Sequence, residues 1–480
     1  MRKGLPTRLA VAATIFALAG CAAPRPLPTT ERGKAASPDV ILTQLRTPTG
    51  ADNTVQQAAF VPPPTKSAES PASQEQSLTE SALIEAVLRQ NPTLDEMRAA
   101  VAAAQAKVPQ AVSLDDPTVG VWTAPGSYPS DHVNPAVRFE ISQKLPWPGK
   151  RDFRGANAAA EADAAARDLD DARLQLVEST RAALADLFVA ERAMAVNREA
   201  QDLLKGFRQN AQSRYKTGLA SQQDILQADV ELARQEERAV ALNRAKRVAA
   251  ARLNTLLHRA PESPFGTVPE TLLVPADSQD PAALRAEAMN ARPDVKALAD
   301  RIRAEEAALG LAQTEYKPDV ELMAAYDGFW QGTDRPLQFQ VGARVNVPVR
   351  TARRDAAVAE AQARVLRRRA ELARLVDQIS LQVQEAYEQV RESRQVIALY
   401  DDRLLPAARS NVKEAQIAYT TGKVPFVALS EAQRTLADRR ERYLEAQAEL
   451  YRRLATLERV TGKAPVTSAD KPSLPSTTSR

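Results

Sequence analysis

From Arg151 to Ala260 the chain has no proline and only three glycines (Gly155, Gly206 and Gly218), set among Ala, Leu, Glu, Gln and Arg, the residues that lose least on entering a helix. Along it, the positions Leu169, Leu176, Ala183, Leu187, Ala190, Met194, Asn197 and Leu204 keep a heptad register, with Arg173, Thr180 and Gln201 as polar exceptions. The pattern predicts helix throughout with one break, at Tyr215-Lys216-Thr217-Gly218-Leu219-Ala220-Ser221, where Gly218 permits a left-handed turn and Ser221 can cap a new helix. The result is a helical hairpin whose first arm, Arg151 to Lys216, is about 100 Å long. An arm of that length needs partners along all of it.

The second half repeats the plan. Tyr215-Lys216-Thr217-Gly218 recurs as Tyr419-Thr420-Thr421-Gly422, and at the same spacing Leu232, Leu253 and Ala260-Pro261 recur as Leu436, Leu457 and Ala464-Pro465. Upstream, Ala82-Leu83, Pro92 and Pro117 recur as Ala283-Leu284, Pro293 and Pro318. A period this long excludes a solenoid and makes each half a complete structural unit. In the second half Leu372, Val376, Ile379, Val383, Ala386, Val390, Ser393, Ile397, Tyr400 and Leu404 alternate by four and three, a heptad seam with one polar interruption. The many alanines let each helix take neighbours on two sides.

Between short leading helices (Leu78 to Gln90, then Thr93 to about Ser113) and the long arm, the period changes to two. Val119, Val121 and Thr123 alternate along the first run, and Val137-Arg138-Phe139-Glu140-Ile141-Ser142-Gln143-Lys144-Leu145 places apolar and polar side chains in strict turn. Val320 to Tyr326 and Phe339-Gln340-Val341-Gly342-Ala343-Arg344-Val345-Asn346-Val347 are the copies. Each half therefore contributes one β-hairpin. The strands are long enough to cross a bilayer when tilted, and alternation by itself fits a soluble sandwich equally well. Open sheet edges cannot exist in lipid, so a membrane sheet of four strands requires several chains to pool their strands; three copies give about twelve.

The N-terminus has a leader. Arg2, Lys3 and Arg8 precede an apolar run from Leu9 to Leu18, too short for a membrane helix and patterned as a secretory signal ending near residue 20. It closes in Leu18-Ala19-Gly20-Cys21, which resembles the bacterial lipoprotein box, with Cys21 the residue that would be acylated. Ala22 is not the aspartate that this pattern associates with inner-membrane retention, so delivery to the outer membrane is expected. Cys21 is the only cysteine, which excludes an internal disulfide. Residues 21–77, rich in Pro, Thr, Ser and Ala, have no apolar period and suit a tether; 466–480 suits a tail. Residues 78–260 and 281–465 are then the two repeats, joined by 261–280. Without the three leader cations the chain has 61 basic residues against 60 acidic ones, so a nucleic-acid partner is not indicated.

These features together resemble the TolC family of outer-membrane efflux ducts: the signal, the doubled order of strand hairpin and helix hairpin, the Tyr-x-Thr-Gly turns, and Gln143-Lys144-Leu145-Pro146-Trp147-Pro148-Gly149-Lys150-Arg151 after a strand. The resemblance covers about Leu78 to Pro465, and the Leu-Pro-Trp-Pro-Gly-Lys-Arg form is similar to members that serve heavy-metal pumps. It implies a mainly α fold with a small membrane β part: a homotrimer with a 12-stranded β-barrel in the outer membrane, continued by a 12-helix α-barrel through the periplasm. It further implies a periplasmic adaptor and an inner-membrane pump of the RND type as partners, no cofactor, and no covalent chemistry.

The turns at Gly218 and Gly422 are expected at the far end of the tunnel, where similar proteins carry a ring of carboxylates early in the following helices. The matching positions are Asp224 and Gln227 in the first half, Ala428 and Glu431 in the second, which leaves Asp224 and Glu431 as candidates and Ala428 as a departure. Helix-dipole stabilisation accounts for two such acids without any ring. Gly218, Leu219, Ser221, Gly422, Lys423 and Pro425 are the expected adaptor contact. Lys150, Arg151 and Arg154, repeated as Arg350, Arg353 and Arg354, put positive charge where a helix dipole opposes it; lipid phosphate, salt bridges to acids such as Asp152 and Asp355, or water could each compensate. No Gly-x-Ser-x-Gly, phosphate-binding glycine loop or His-Glu-x-x-His is present, and His132 and His258 have no cysteine partner. The rival readings are a periplasmic coiled-coil adaptor or structural lipoprotein, which leaves the duplicated strand pairs unexplained, and a lipoprotein enzyme, which lacks a polar constellation.

Overall fold

The computed structural model describes residues 79–125, 135–218, 221–266, 271–272, 280–329 and 338–463. Two copies of one plan follow each other. The first runs α1 (Glu80–Gln90), α2 (Pro92–Val112), β1 (Thr118–Thr123), β2 (Pro135–Leu145), α3 (Lys150–Lys216) and α4 (Gln222–Leu256). The second runs α5 (Pro281–Ala291), α6 (Pro293–Thr314), β3 (Val320–Phe329), β4 (Gln338–Val345), α7 (Thr351–Leu399), a π-turn (Tyr400–Leu404), α8 (Leu405–Thr420) and α9 (Phe426–Thr461).

The short helices begin where the sequence marks them. Pro92, Pro281 and Pro293 stand at first helical positions, where the missing N–H costs nothing. The Asn91 side chain accepts from the Thr93 N–H at 3.0 Å, capping α2, and donates to the Leu256 carbonyl at 2.9 Å. Leu83 and Val87 of α1 lie against Ala183, Leu184 and Leu187 of α3 and Leu253 of α4. The same device recurs in the second copy, where Leu284 and Ala288 of α5 cover Ile379 and Val383 of α7 and Val460 of α9.

The four strands form one antiparallel sheet in the order β1-β2-β3-β4, so each copy supplies a hairpin and the two hairpins join at β2–β3. Both outer edges, β1 and β4, are unpaired among the described residues. Among the described residues no helix is long and apolar enough to cross a membrane.

The first long arm is one uninterrupted helix of 67 residues. It packs against α1, α2, α4, α6 and α9, the plural neighbours that its alanines predict. Of the polar exceptions, Arg173 is exposed and donates to Asp170 at 2.9 Å, and the other two are bonded within the packing. Thr180 donates to the carbonyl of Leu176 one turn back, while Asn197 and Gln201 both reach Gln235 of α4.

The second arm corrects the expectation of an unbroken seam to Leu404. The seam is buried or half-buried from Leu372 to Tyr400, but Leu404 is exposed and Leu405 is buried in its place, followed by Ala408, Val412 and Tyr419. The π-turn inserts one residue, and the seam resumes one position later. One more residue lies between Arg354 and Tyr419 than between their counterparts Arg151 and Tyr215, and this is where it is absorbed. The fault falls beside Pro406, which has no N–H to give to the Asp402 carbonyl and whose ring crowds it.

Candidate functional site

The sheet has two unlike faces because its strands alternate in phase across the register. On one face the rows Val119–Ile141–Ala324–Val341 and Val121–Phe139–Tyr326–Phe339 run across all four strands, continued by Leu322 and by Leu145–Val320–Val345. Most of these large apolar side chains are exposed, Val119 and Val341 by 72% and 74%. A contiguous exposed apolar face of this kind is not a water-facing surface.

The opposite face is polar and internally bonded. Asp327 of β3, 4% exposed, meets the Arg138 guanidinium of β2 at 3.2 Å; Arg138 donates to Gln340 of β4 at 2.8 Å, and the Gln340 amide donates to Asp327 at 3.0 Å. Nearer the helices, Ser142 donates to Glu321 at 2.8 Å, Arg344 donates to the same carboxylate at 3.1 Å, and the Ser142 and Thr118 hydroxyls are 2.7 Å apart. Each cluster spans strands from both copies.

At the joint between sheet and long helix, Lys150 is almost wholly buried. Its ammonium lies 2.9 Å from Asp319 and 3.6 Å from Glu315 and donates to the Lys317 carbonyl at 3.3 Å. Asp319 also accepts the Trp147 backbone N–H at 2.9 Å. Burial pushes the Asp319 carboxyl up, but the Trp147 N–H and the Lys150 ammonium outweigh it and hold the group below the ordinary carboxylate range. The neighbouring arginines do something else. Arg151 donates to the Val112 carbonyl at the end of α2, and Arg354 to the Glu315 carbonyl at the end of α6, each at 2.8 Å from Nε. A cation that opposes the dipole of its own helix is thereby placed at the favourable end of another. Salt bridges to Asp152 and Asp355 are not the compensation seen; Asp355 instead accepts from the Tyr316 hydroxyl.

At the other end, Gly218 and Gly422 take φ of 73° and 74°, the left-handed turns that their sequence context predicts. Ser221 occupies the position preceding α4 but does not cap it with its side chain, which donates to the Asp224 carboxylate at 3.2 Å instead. Pro425 takes the matching position before α9. Phe426 is fully buried between Tyr419 and Phe207, with ring centroids 5.6 and 6.5 Å away. Arg214, in the last turn of α3, lies 5.2 Å over the Tyr419 ring and donates to the Tyr419 and Thr420 carbonyls at 3.2 and 3.3 Å, joining the first tip to the C-terminus of α8. Burial, and then the negative Asp224, push the Tyr419 hydroxyl up.

Among the expected site residues, Gly218, Ser221, Gly422, Lys423 and Pro425 are all exposed at the tips. Leu219, Cys21 and His132 lie outside the described residues. Asp224 is half-buried and coupled to Tyr419, whereas Glu431 is exposed with Arg434 3.9 Å away, so the two carboxylates sit in different surroundings. His258 is exposed in a left-handed turn just after α4. Sequence reasoning placed Glu140 on the polar sheet face but missed Arg214, the Lys150–Asp319 pair and the two acids of β3 on that face. Glu321 and Asp327 were within reach: extending the period of two through β3 puts both on the face of Arg138 and Arg344.

A sheet with one exposed apolar face and one polar face is thus joined directly to paired, very long helices. The sequence profile of the outer membrane efflux protein family matches residues 83–258 and 284–463, one match for each copy, and the chain belongs to that family. It is an efflux channel protein of the outer membrane and not an enzyme; members act as trimers with periplasmic adaptors and inner-membrane pumps. Among solved structures, the fold is similar to the outer-membrane channel OprN (TM-score 0.68, 22% identity, 80% of this chain and 90% of that one). It is also similar to the outer membrane protein VceC of Vibrio cholerae (0.67, 18%, 80% and 96%) and to CusC (0.68, 16%, 80% and 92%). A search of curated protein sequences finds no match.

Proposed function

We propose that three copies of this chain close their sheets edge to edge into a 12-stranded barrel in the outer membrane, continued by twelve long helices as a periplasmic tunnel. The observation that carries this reading is the sheet itself: one face is exposed and apolar, the other is polar and ion-paired, and both edges are open. Lipid requires every backbone group to be paired, so the β1 edge of one chain has to meet the β4 edge of the next. A coiled-coil adaptor has no use for such a sheet.

Substrate arrives from an inner-membrane pump of the RND type through an adaptor seated on the tips at Gly218, Leu219, Ser221, Gly422, Lys423 and Pro425, and passes out without covalent change. Cys21, after a signal peptide of residues 1–20, carries the lipid anchor, and residues 21–77 tether it to the repeats. Asp224 and Glu431 ring the entrance in threes, attracting cations. The Leu145-to-Arg151 segment favours the branch that serves heavy-metal pumps.

The deciding experiment joins the mass of the detergent-extracted particle to conductance in a planar bilayer. A trimer that conducts is expected; a stable monomer without pore activity overturns the reading. Cation block should weaken in Asp224→Ala/Glu431→Ala, and unchanged block removes the ring.

A further inference from the structure

If the sheet closes into a barrel, its polar face has one possible direction. Val119, Val121, Phe139, Ile141, Leu322, Phe339 and Val341 take the lipid side, so the face of Arg138 and Asp327 turns to the lumen. The described strand residues on that face carry three cations, Arg138, Lys144 and Arg344, and three anions, Glu140, Glu321 and Asp327. Each chain therefore contributes no net charge to this part of the wall.

The balance is built by specific contacts. Arg138 and Asp327 are cross-strand partners in the β2–β3 register, and Gln340 closes the triangle from β4 by bonding to both. Asp327 is 4% exposed while the Arg138 side chain is 37% exposed, so the acid lies beneath the guanidinium and the cation is what a passing ion meets. Glu321 stands in the same relation to Arg344, whose side chain is 65% exposed against 29% for the acid. In both pairs a shielded carboxylate cancels an arginine that reaches outward.

We infer that Asp327 and Glu321 are selectivity-determining residues: by neutralising Arg138 and Arg344 they keep the barrel wall from becoming a cationic ring that would favour anions. The inference rests on the channel reading. Threefold symmetry multiplies each change, so the loss of one acid per chain leaves three uncompensated guanidinium groups at one level of the pore. A lumen lined by one sign of charge with low-dielectric walls concentrates the opposite ion, most strongly in dilute salt.

The test is the reversal potential of full-length protein, reconstituted in planar bilayers of neutral lipid, across a dilute KCl gradient. Asp327→Asn should move it toward anion selectivity and Arg138→Gln toward cation selectivity, and the double variant should return close to the wild-type value. Glu321→Gln, on the second pair, should shift in the same direction as Asp327→Asn and serves if that variant does not assemble. A role confined to holding the strands together predicts loss of channels without a sign-dependent shift. Single variants that conduct with unchanged or same-signed reversal potentials overturn the inference while leaving the channel reading intact. Absence of conductance in the wild type removes the channel reading and this inference together.

Discussion

The two copies share a plan, but their positions in the sheet have driven them apart. In the first, the strand that feeds the long helix is the inner strand β2, and the joint below it is locked: Lys150 is buried on Asp319, which comes from the other copy. In the second, the feeding strand is the edge strand β4, and Arg353, the residue matching Lys150, is exposed. The same contrast appears along the arms. Where α3 is continuous and pinned to α4 by Asn197, Gln201 and Gln235, the second arm has its π-turn at Tyr400–Leu404. There Tyr400 meets the Tyr443 ring of α9 at 6.0 Å. A duplicated unit keeps its backbone order, while the side chains at each joint answer to which neighbours surround it.

The largest expected effect tests the joints. Asp319→Ala leaves a buried ammonium with weaker partners and should cost about 3–5 kcal/mol in denaturant unfolding of the solubilised protein, against about 0.5 kcal/mol or less for Arg353→Ala. Equal losses would dissolve the contrast. The pH dependence has a definite sign. Because the folded Asp319 carboxyl lies below its ordinary range, its contribution is full above that range and disappears as pH falls through the folded value. The gap between wild type and Asp319→Ala should therefore narrow on acidification, and a gap that widens would refute the assignment.

A middle-sized effect tests the pin. Gln235→Ala removes the side-chain acceptor of a buried Asn197 amide, leaving only the residue 235 carbonyl, and should destabilise by about 1–2 kcal/mol, read as faster hydrogen exchange in the middle of α3 and α4. Exchange that is unchanged there would mean that the polar positions in this seam set nothing. The smallest effect separates the two causes of the π-turn. If the extra residue demands it and Pro406 only decides where it falls, Pro406→Ala should change stability by less than about 1 kcal/mol and leave amide exchange near Tyr400–Leu404 fast. Protection like that of an unbroken helix would make the proline the cause.

Much of this architecture was legible before any coordinates. The turns at Gly218 and Gly422 and the first arm to Lys216 follow from glycine placement and helix-forming composition, and both hairpins and the two-faced alternation of β2 and β4 from a period of two. The seam failed only past Tyr400, because a one-residue insertion in a helix is invisible to a heptad count that still finds a leucine, here Leu404, at the expected place. Ser221 stands before α4 as expected, but its hydroxyl bonds to the Asp224 carboxylate one turn on and accepts no N–H of the helix.

The identities of charged partners were not legible in this way. Arg151 and Arg354 read as helix-start cations in need of anions, and only the packed structure shows them spent on the carbonyl ends of α2 and α6. Lys150 with Asp319, Arg138 with Asp327, and Arg214 with the end of α8 join residues far apart in the chain. Local periodicity arises from the backbone's own geometry, so the sequence determines which face of each element is apolar. A long charged side chain instead takes whichever acceptor the folded chain brings within about 3 Å. That choice belongs to the tertiary structure, because it depends on contacts between segments that no period along the chain relates.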